Sequence, residues 1–278
     1  MRQFISSVPP DKNGLFYVSG KDYRYLRHVL RLKCGDMLSV RLPGGALCNT
    51  TVCSTDDAKK AAVLQLCSAA GAFCGSRDAA RGVKAEELSA ACFSVDYYLF
   101  QYIAKPSKME LIVRQAAECG VKYIVPVIGA FSQKANVVAM SGSRTERFER
   151  IIREARQQSG SPVETQVLPP VDTEKAAAFW KEQGGKTDGN KGGAYAAVVL
   201  WERCENTRPL KEVVAERKIQ KMAVAVGCEG GISAAEIQNL CDGGFVPVHF
   251  ATNILRCETA ALYGIAAVQS ELSAQYEK

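Results

Sequence analysis

From about residue 92 onward the chain alternates between two hydrophobic periods, and this alternation restricts its possible folds more than any other feature. Apolar runs at 95–103, 123–128, 163–167, 194–201, 222–226 and 245–250 have the length and side-chain character of strands. Helical patterns lie between them. Met109, Ile112, Val113 and Ala116 stand at i, i+3, i+4 and i+7 in a segment, 108–119, that Gly120 ends. Phe148, Ile151, Ile152 and Ala155 repeat that spacing in a segment running to Gln158, with Ser143-x-x-Glu146 as a capping box at its start. Ser233-x-x-Glu236 caps another helix, and 259–275 closes the chain as a long one. Strands separated by helices imply an α/β domain with a mostly parallel sheet. Such sheets bind ligands at the carboxyl ends of their strands.

The first 70 residues follow a different pattern. Short strands at 16–18, 37–41, 46–52 and 61–66 are separated by turn-formers such as Asn13-Gly14 and Pro43-Gly44-Gly45. One helical segment, 22–32, places Leu26, Val29 and Leu30 on one face and Arg24, Arg27 and Arg31 on another. The expected organisation is therefore a small β-rich module at 1–70, a linker or insertion at 71–91, and the α/β domain at 92–278. The weakly periodic stretch 68–90 and the run 184–193, GGKTDGNKGG, read as flexible insertions.

Charge separates the two parts. Residues 1–70 hold ten Lys and Arg against five Asp and Glu, whereas 207–278 hold seven against eight. Lys21, Arg24, Arg27, Arg31, Lys33 and Arg41 lie close together in sequence. A basic patch of this kind attracts a polyanion such as RNA through counterion release, and it is equally compatible with a solvated face. The arginines at 144, 147, 150, 153 and 156 interleave with Glu146, Glu149 and Glu154, a pattern that suits i,i+4 pairing. Lys105 and Lys108 flank the start of a helix after a strand, where they suit phosphate or simply solvent.

Eleven cysteines raise the question of zinc or disulfides, but no C-x-x-C pair occurs and only two histidines are present. Buried, reduced cysteines and no metal site are expected. No apolar run is long enough to span a bilayer, and no secretory h-region is visible, so a cytoplasmic protein with no membrane role is expected.

The chemistry concentrates in 223–264. There an apolar run ends in Gly227-Cys228-Glu229-Gly230-Gly231 before the capped helix, and a second ends in Ile254-Leu255-Arg256-Cys257-Glu258-Thr259-Ala260. Glycines let backbone approach a ligand, and a helix start directs free N–H groups at the loop. Neither a G-x-G-x-x-G fingerprint nor a P-loop ending is present. The pair of switches is how a pocket for a charged, adenosine-like cofactor is built, although the first alone is also compatible with a tight turn.

Taken in order, Arg2-x-Phe4, His28-Val-Leu-Arg31-x-x-x-Gly35-Asp36, Lys108-Met-Glu110, Glu118-Cys-Gly120-Val121, Glu154-Ala155, Gln158-Ser159, Gly227-x-Glu229-Gly-Gly231-x-Ser233-x-x-Glu236 and Ile254-Leu-Arg256-x-Glu258-Thr259 form a pattern. With it the chain resembles the 16S ribosomal RNA (uracil-N3)-methyltransferases of the RsmE type in the SPOUT superfamily, over nearly its whole length apart from the insertions. The resemblance implies a PUA-like small β-barrel followed by a SPOUT α/β trefoil-knot domain, a homodimer, S-adenosyl-L-methionine as cofactor, and 16S rRNA or the small ribosomal subunit as partner. Carried onto this sequence, it implies a cofactor pocket of Leu200, Gly227, Glu229, Gly230, Gly231, Phe250, Ile254, Leu255, Thr259 and Ala260. Arg256 becomes the candidate for stabilising a uracil anion, and Glu229 and Glu258 become candidates for receiving the N3 proton. Arg2, Arg24, Arg27 and Arg31, with Lys105 and Lys108, would hold RNA. The chain departs from the family pattern where Cys228 stands for proline, Ala251 for glycine, Gln157 for glutamate, and Asn253 and Ser161 for arginines. The changes at Asn253 and Ser161 keep open a divergent SPOUT-fold RNA-binding protein with weak or no methyl transfer, or an enzyme with another RNA target.

Overall fold

A computed structural model describes residues 3–67, 95–140, 144–185, 194–215 and 219–276. The expected insertions lie largely outside the described residues, at 68–90 and 186–193. The described chain divides into two compact units, one holding the residues up to 67 together with Arg156–Pro162, the other the remainder.

In the first unit β1 (Gln3–Ile5), β2 (Leu15–Ser19), β3 (Met37–Arg41), β4 (Leu47–Asp56) and β5 (Ala61–Leu66) form a curled sheet in the order β1-β3-β4-β5-β2. It is an open half-barrel, because β1 and β2 end the sheet without pairing to each other. Alternating residues of the strands bury Phe4, Phe16, Val18, Val40, Val52 and Leu64 on its inner face, with Leu26 from the helical segment. That segment is not the single α-helix that its periodicity predicts. It begins as α1 (Gly20–Arg24) and widens into a π-turn (Tyr25–Val29), where the Leu30 N–H reaches back to the Tyr25 carbonyl. Arg31, at φ 57°, ends it. Arg41, counted with the basic residues, is buried: its guanidinium donates to Gln3 Oε1 at 3.0 Å and to the Gly45 carbonyl at 2.6 Å. Gln3 in turn donates to the carbonyls of Arg156 and Ser161.

The second unit is a parallel sheet. Strands β6 (Asp96–Tyr102), β7 (Tyr123–Ile128), β8 (Gln166–Val167), β9 (Val171–Asp172), β10 (Ala194–Leu200), β11 (Ile219–Val226) and β12 (Phe245–Val248) run in the order β12-β10-β11-β6-β7-β8, with β9 also on β7. Every strand pairing is parallel. This matches the near-continuous burial of β6 and β11, since a parallel sheet is covered on both faces. Helix α2 (Pro106–Glu118) buries Met109, Ile112, Val113, Ala116 and Ala117, as its spacing predicts, and proline opens it where no N–H partner is needed. Helix α4 (Arg144–Ser159) likewise buries Phe148, Ile151, Ile152 and Ala155. The final helix α8 (Cys257–Tyr276) turns Ala261, Ile265, Val268 and Leu272 inward.

Among the described residues three helices escape the sequence patterns: α3 (Lys134–Ala139), α5 (Thr173–Gly185) and α6 (Leu210–Val214). Helix α5 carries Trp180, fully buried against Tyr98, Phe100, Tyr195 and Phe245. The expected strand 163–167 shrinks to Gln166–Val167. Of the expected i,i+4 arginine pairs, Arg150–Glu154 forms at 4.0 Å, but Arg147 pairs with Glu110 of α2 instead. No described helix is long and apolar enough to cross a membrane.

Candidate functional site

Three adjacent strands, β12, β10 and β11, end side by side, and the loops that leave them form one cleft. Leu200, Trp201 and Glu202 come from the end of β10. Val226, Gly227, Cys228, Glu229, Gly231 and Ile232 come from the turn after β11. Val248, His249, Phe250, Thr252, Asn253, Ile254 and Leu255 follow β12, and Cys257 and Ala260 open α8.

The turn after β11 needs its glycines. The Gly231 N–H donates to the Cys228 carbonyl at 3.0 Å, closing the turn, and Gly231 sits at φ 77°. A Cβ on Gly227 would lie 2.8 Å from the Gly231 carbonyl carbon. Gly230 packs on Phe131, where a Cβ would come within 2.7 Å of the Phe131 Cβ. Beneath the turn, the Gln101 amide donates to the Gly227 carbonyl at 3.1 Å. Helix α7 (Ala234–Asp242) then starts in the expected capping box: Ser233 and Glu236 satisfy each other's backbone N–H groups. Glu236 does more than cap. Its buried carboxylate also accepts from the Ala130 N–H at 2.8 Å and from Thr173 Oγ1 at 3.2 Å, so one side chain ties α7 to the loop after β7 and to the start of α5.

At the rim, Lys108 of α2 joins both loops. Its ammonium lies 3.1 Å from Glu258 and 3.6 Å from Glu229, and Glu229 also accepts the Lys105 N–H at 3.2 Å. The hydrogen bond to Glu258 raises the Lys108 pKa above its ordinary value. Burial pushes the Glu258 carboxyl up, but its own backbone N–H and Lys108 outweigh that, and the net direction is down. The neighbouring Cys257 thiol is pushed up to about 12, chiefly by burial and then by its hydrogen bond to Glu258. Its Sγ is 3.8 Å from the lysine ammonium, which acts in the opposite direction. On the far wall, His249 Nδ1 is 3.2 Å from the Trp201 carbonyl, and Phe250 packs edge-on against Tyr263.

Of the residues expected to form the pocket, Leu200, Gly227, Glu229, Gly231, Phe250, Ile254, Leu255 and Ala260 line the cleft. Gly230 and Thr259 are adjacent to it without lining it: Gly230 faces Phe131, and Thr259 is exposed on α8. Arg256 is exposed between two lining residues, and its guanidinium has no ion-pair partner among the described residues. Glu258 faces Lys108. Sequence reasoning missed Trp201, Glu202 and His249. Their signal was position alone, directly after a strand's carboxyl end. Lys105 is exposed, while Lys108 is engaged by the two glutamates.

Arg2 lies outside the described residues, and Arg31 is exposed. Arg24 and Arg27 share a second cleft, in the first unit, with Tyr23, His28, Asp57 and Lys60. Arg27 pairs with Asp57 there at 3.2 Å, and the Tyr23 hydroxyl donates to the same carboxylate. The cysteines are not uniformly buried as expected. Cys228 and Cys257 are buried, but Cys34 and Cys204 are exposed in a turn and a loop, and Cys53 is exposed at the register shift within β4. Among the described residues no group of three or more His, Cys, Asp or Glu is placed to hold a metal ion.

Comparison with known proteins agrees with this architecture. The sequence profile of a family described as RNA methyltransferase domain matches residues 92–269. The ribosomal RNA small subunit methyltransferase E of Aquifex aeolicus is 33% identical over 179 residues, covering 64% of this chain and 69% of that one. The ribosomal RNA small subunit methyltransferase E 2 of Borreliella burgdorferi is 22% identical over 254 residues, or 91% of this chain and 90% of that one. The crystal structure of the ribosomal RNA small subunit methyltransferase E of Neisseria gonorrhoeae bound to S-adenosyl methionine superposes with a TM-score of 0.70, at 21% identity over 97% of each chain. At that identity the likeness is one of fold.

Proposed function

This chain belongs to the RNA methyltransferase domain family, in its ribosomal RNA small subunit methyltransferase E branch, and from that premise we propose that it methylates N3 of a uridine in 16S ribosomal RNA with S-adenosylmethionine. The observation that carries this reading is the cleft where β10, β11 and β12 end. Gly227 lets the turn after β11 fold tightly at the cleft wall, because a Cβ there would lie 2.8 Å from the Gly231 backbone, and the cleft lined by that turn stays open between the three strand ends. Its inner walls are the apolar side chains of Leu200, Val226, Ile232 and Val248. An adenosine with a short charged tail suits this mixture.

S-adenosylmethionine supplies an electrophilic methyl group on a positively charged sulfur. In this reading Leu200, Gly227, Gly231, Phe250, Ile254, Leu255 and Ala260 hold it. Uracil N3 is a nucleophile only after losing its proton, so the protein's task is to position N3 and stabilise the anion. Arg256, exposed at the mouth and unpaired among the described residues, is assigned to that charge. Glu229 and Glu258 both lie against the Lys108 ammonium, and the Glu258 carboxyl is held below its ordinary value, which makes it a weak proton acceptor. Both are assigned to hold the two loops together. The first unit, with Arg24, Arg27, Arg31 and Lys60, is assigned to the RNA backbone. The protein is read as a cytoplasmic homodimer, which light scattering tests.

The decisive experiment is methyl transfer from labelled cofactor to small ribosomal subunits, with mapping of the product. Label on uridine N3 of 16S rRNA is expected, and absence of transfer with intact cofactor binding would sink the reading. Asn253 lines the cleft where the family usually has arginine, and this favours one alternative: label on a different RNA position.

A further inference from the structure

The charge of the cleft runs against the charge of the protein. The chain carries a formal net charge of +6, yet among the described residues neither lysine nor arginine lines the cleft, and two carboxylates do, Glu202 and Glu229. These two are in different states. Glu229 is already compensated by Lys108 and by the Lys105 N–H. Glu202 forms no hydrogen bond or ion pair among the described residues. It follows β10 by two residues and reaches the glycine turn after β11, so that a Cβ on Gly231 would lie 3.4 Å from its Oε2. Glu202 is exposed, and the cleft it lines has Leu200, Val226, Ile232 and Val248 among its apolar members.

We propose that Glu202 is a specificity-determining residue that recognises a positive charge on the cofactor. The inference rests on the cofactor reading above and deepens it. S-adenosylmethionine presents two positive groups, its sulfonium and its α-ammonium, and the shared chemistry is a cation beside an apolar nucleoside. A free carboxylate in this position favours that ligand over neutral adenosine derivatives.

Isothermal titration of the full chain tests this with three probes: S-adenosylmethionine, S-adenosylhomocysteine, which lacks the sulfonium charge, and methylthioadenosine, which has neither cation. Glu202→Gln is expected to weaken S-adenosylmethionine about tenfold while leaving methylthioadenosine within about twofold. If the sulfonium is the partner, S-adenosylhomocysteine is unaffected; if the ammonium is, both amino-acid ligands weaken alike. Glu205→Gln, on the same loop but not lining the cleft, is expected to bind all three normally. Equal weakening of all three probes by Glu202→Gln, or no change in any, overturns the proposal while the cofactor reading stands. Failure of the unaltered protein to bind S-adenosylmethionine removes both. Salt dependence of unaltered binding is a second measurement: affinity for S-adenosylmethionine is expected to fall with salt more steeply than affinity for methylthioadenosine, and parallel curves count against the proposal.

Discussion

Replacing Lys108 by methionine tests how the two loops of the cleft are held. Methionine keeps an apolar stem in place of the lysine methylenes and removes only the charge. The lysine side chain is 24% exposed, that of Glu258 15% and that of Glu229 32%, so the cluster is neither an open surface pair nor a fully buried one. Two contacts at 3.1 and 3.6 Å are lost, and two carboxylates then face each other with no cation between them. Partial screening puts the loss at about 1–3 kcal/mol, above an exposed pair and at or below a broken buried one. In a chain of this size that is roughly 3–10 °C in melting temperature. The pH dependence is the sharper readout. Glu258 titrates below its ordinary value of 4.5, so its contribution is present above that pH and is lost as pH falls through the lowered value. Lys108 titrates above its ordinary 10.5, so its contribution is present below that pH and is lost as pH rises through the raised value. The stability gap between the native chain and Lys108→Met is therefore widest from about pH 5 to 10 and closes in acid. Lys108→Arg is expected to restore most of it. Chemical denaturation across pH measures the gap, and a gap that does not narrow as pH falls from neutral into strong acid would refute the ion-pair account.

Gly227→Ala is expected to lower S-adenosylmethionine affinity at least tenfold by titration calorimetry, because the new Cβ meets the Gly231 backbone, and native affinity would show that the turn is not part of the pocket. Glu236→Ala should cost about 2–4 kcal/mol in denaturant unfolding, since it removes the cap and leaves the Ala130 N–H and the Thr173 hydroxyl without that acceptor; a loss under about 0.5 kcal/mol would contradict the tie. Cys257, held near 12, should resist iodoacetamide at pH 8, where about one molecule in ten thousand is thiolate, while Cys34 and Cys204 label quickly. Peptide mapping in which Cys257 is labelled as early as Cys204 would count against its burial.

Features that depend on neighbours within one turn or one strand were legible. The inward stripes of α2 and α4, the Ser233–Glu236 capping box and the glycine turn after β11 stand where their spacing placed them. Helix α5 was invisible because two of its inward residues, Ala176 and Ala177, are small and blur the hydrophobic period, although Trp180 anchors it. The π-turn at Tyr25–Val29 was invisible because an α-helix and a π-turn share nearly the same apolar spacing over so short a span.

The cleft shows the same division. Local order along the chain set the fold class, the loops that leave the strands, and the glycines that open them, because each depends on backbone geometry over a few residues. Which charges are free and which are paired was decided by the sheet. The order β12-β10-β11-β6 sets Glu202, the turn at 227–231 and the start of α2 beside one another. Lys108, which read as a contact for RNA, thereby meets carboxylates at positions 229 and 258, and Glu202, which had no motif to mark it, becomes the unpaired carboxylate of the cleft. Coulomb energy depends on distance through space, and only the folded chain sets that distance for residues a hundred positions apart.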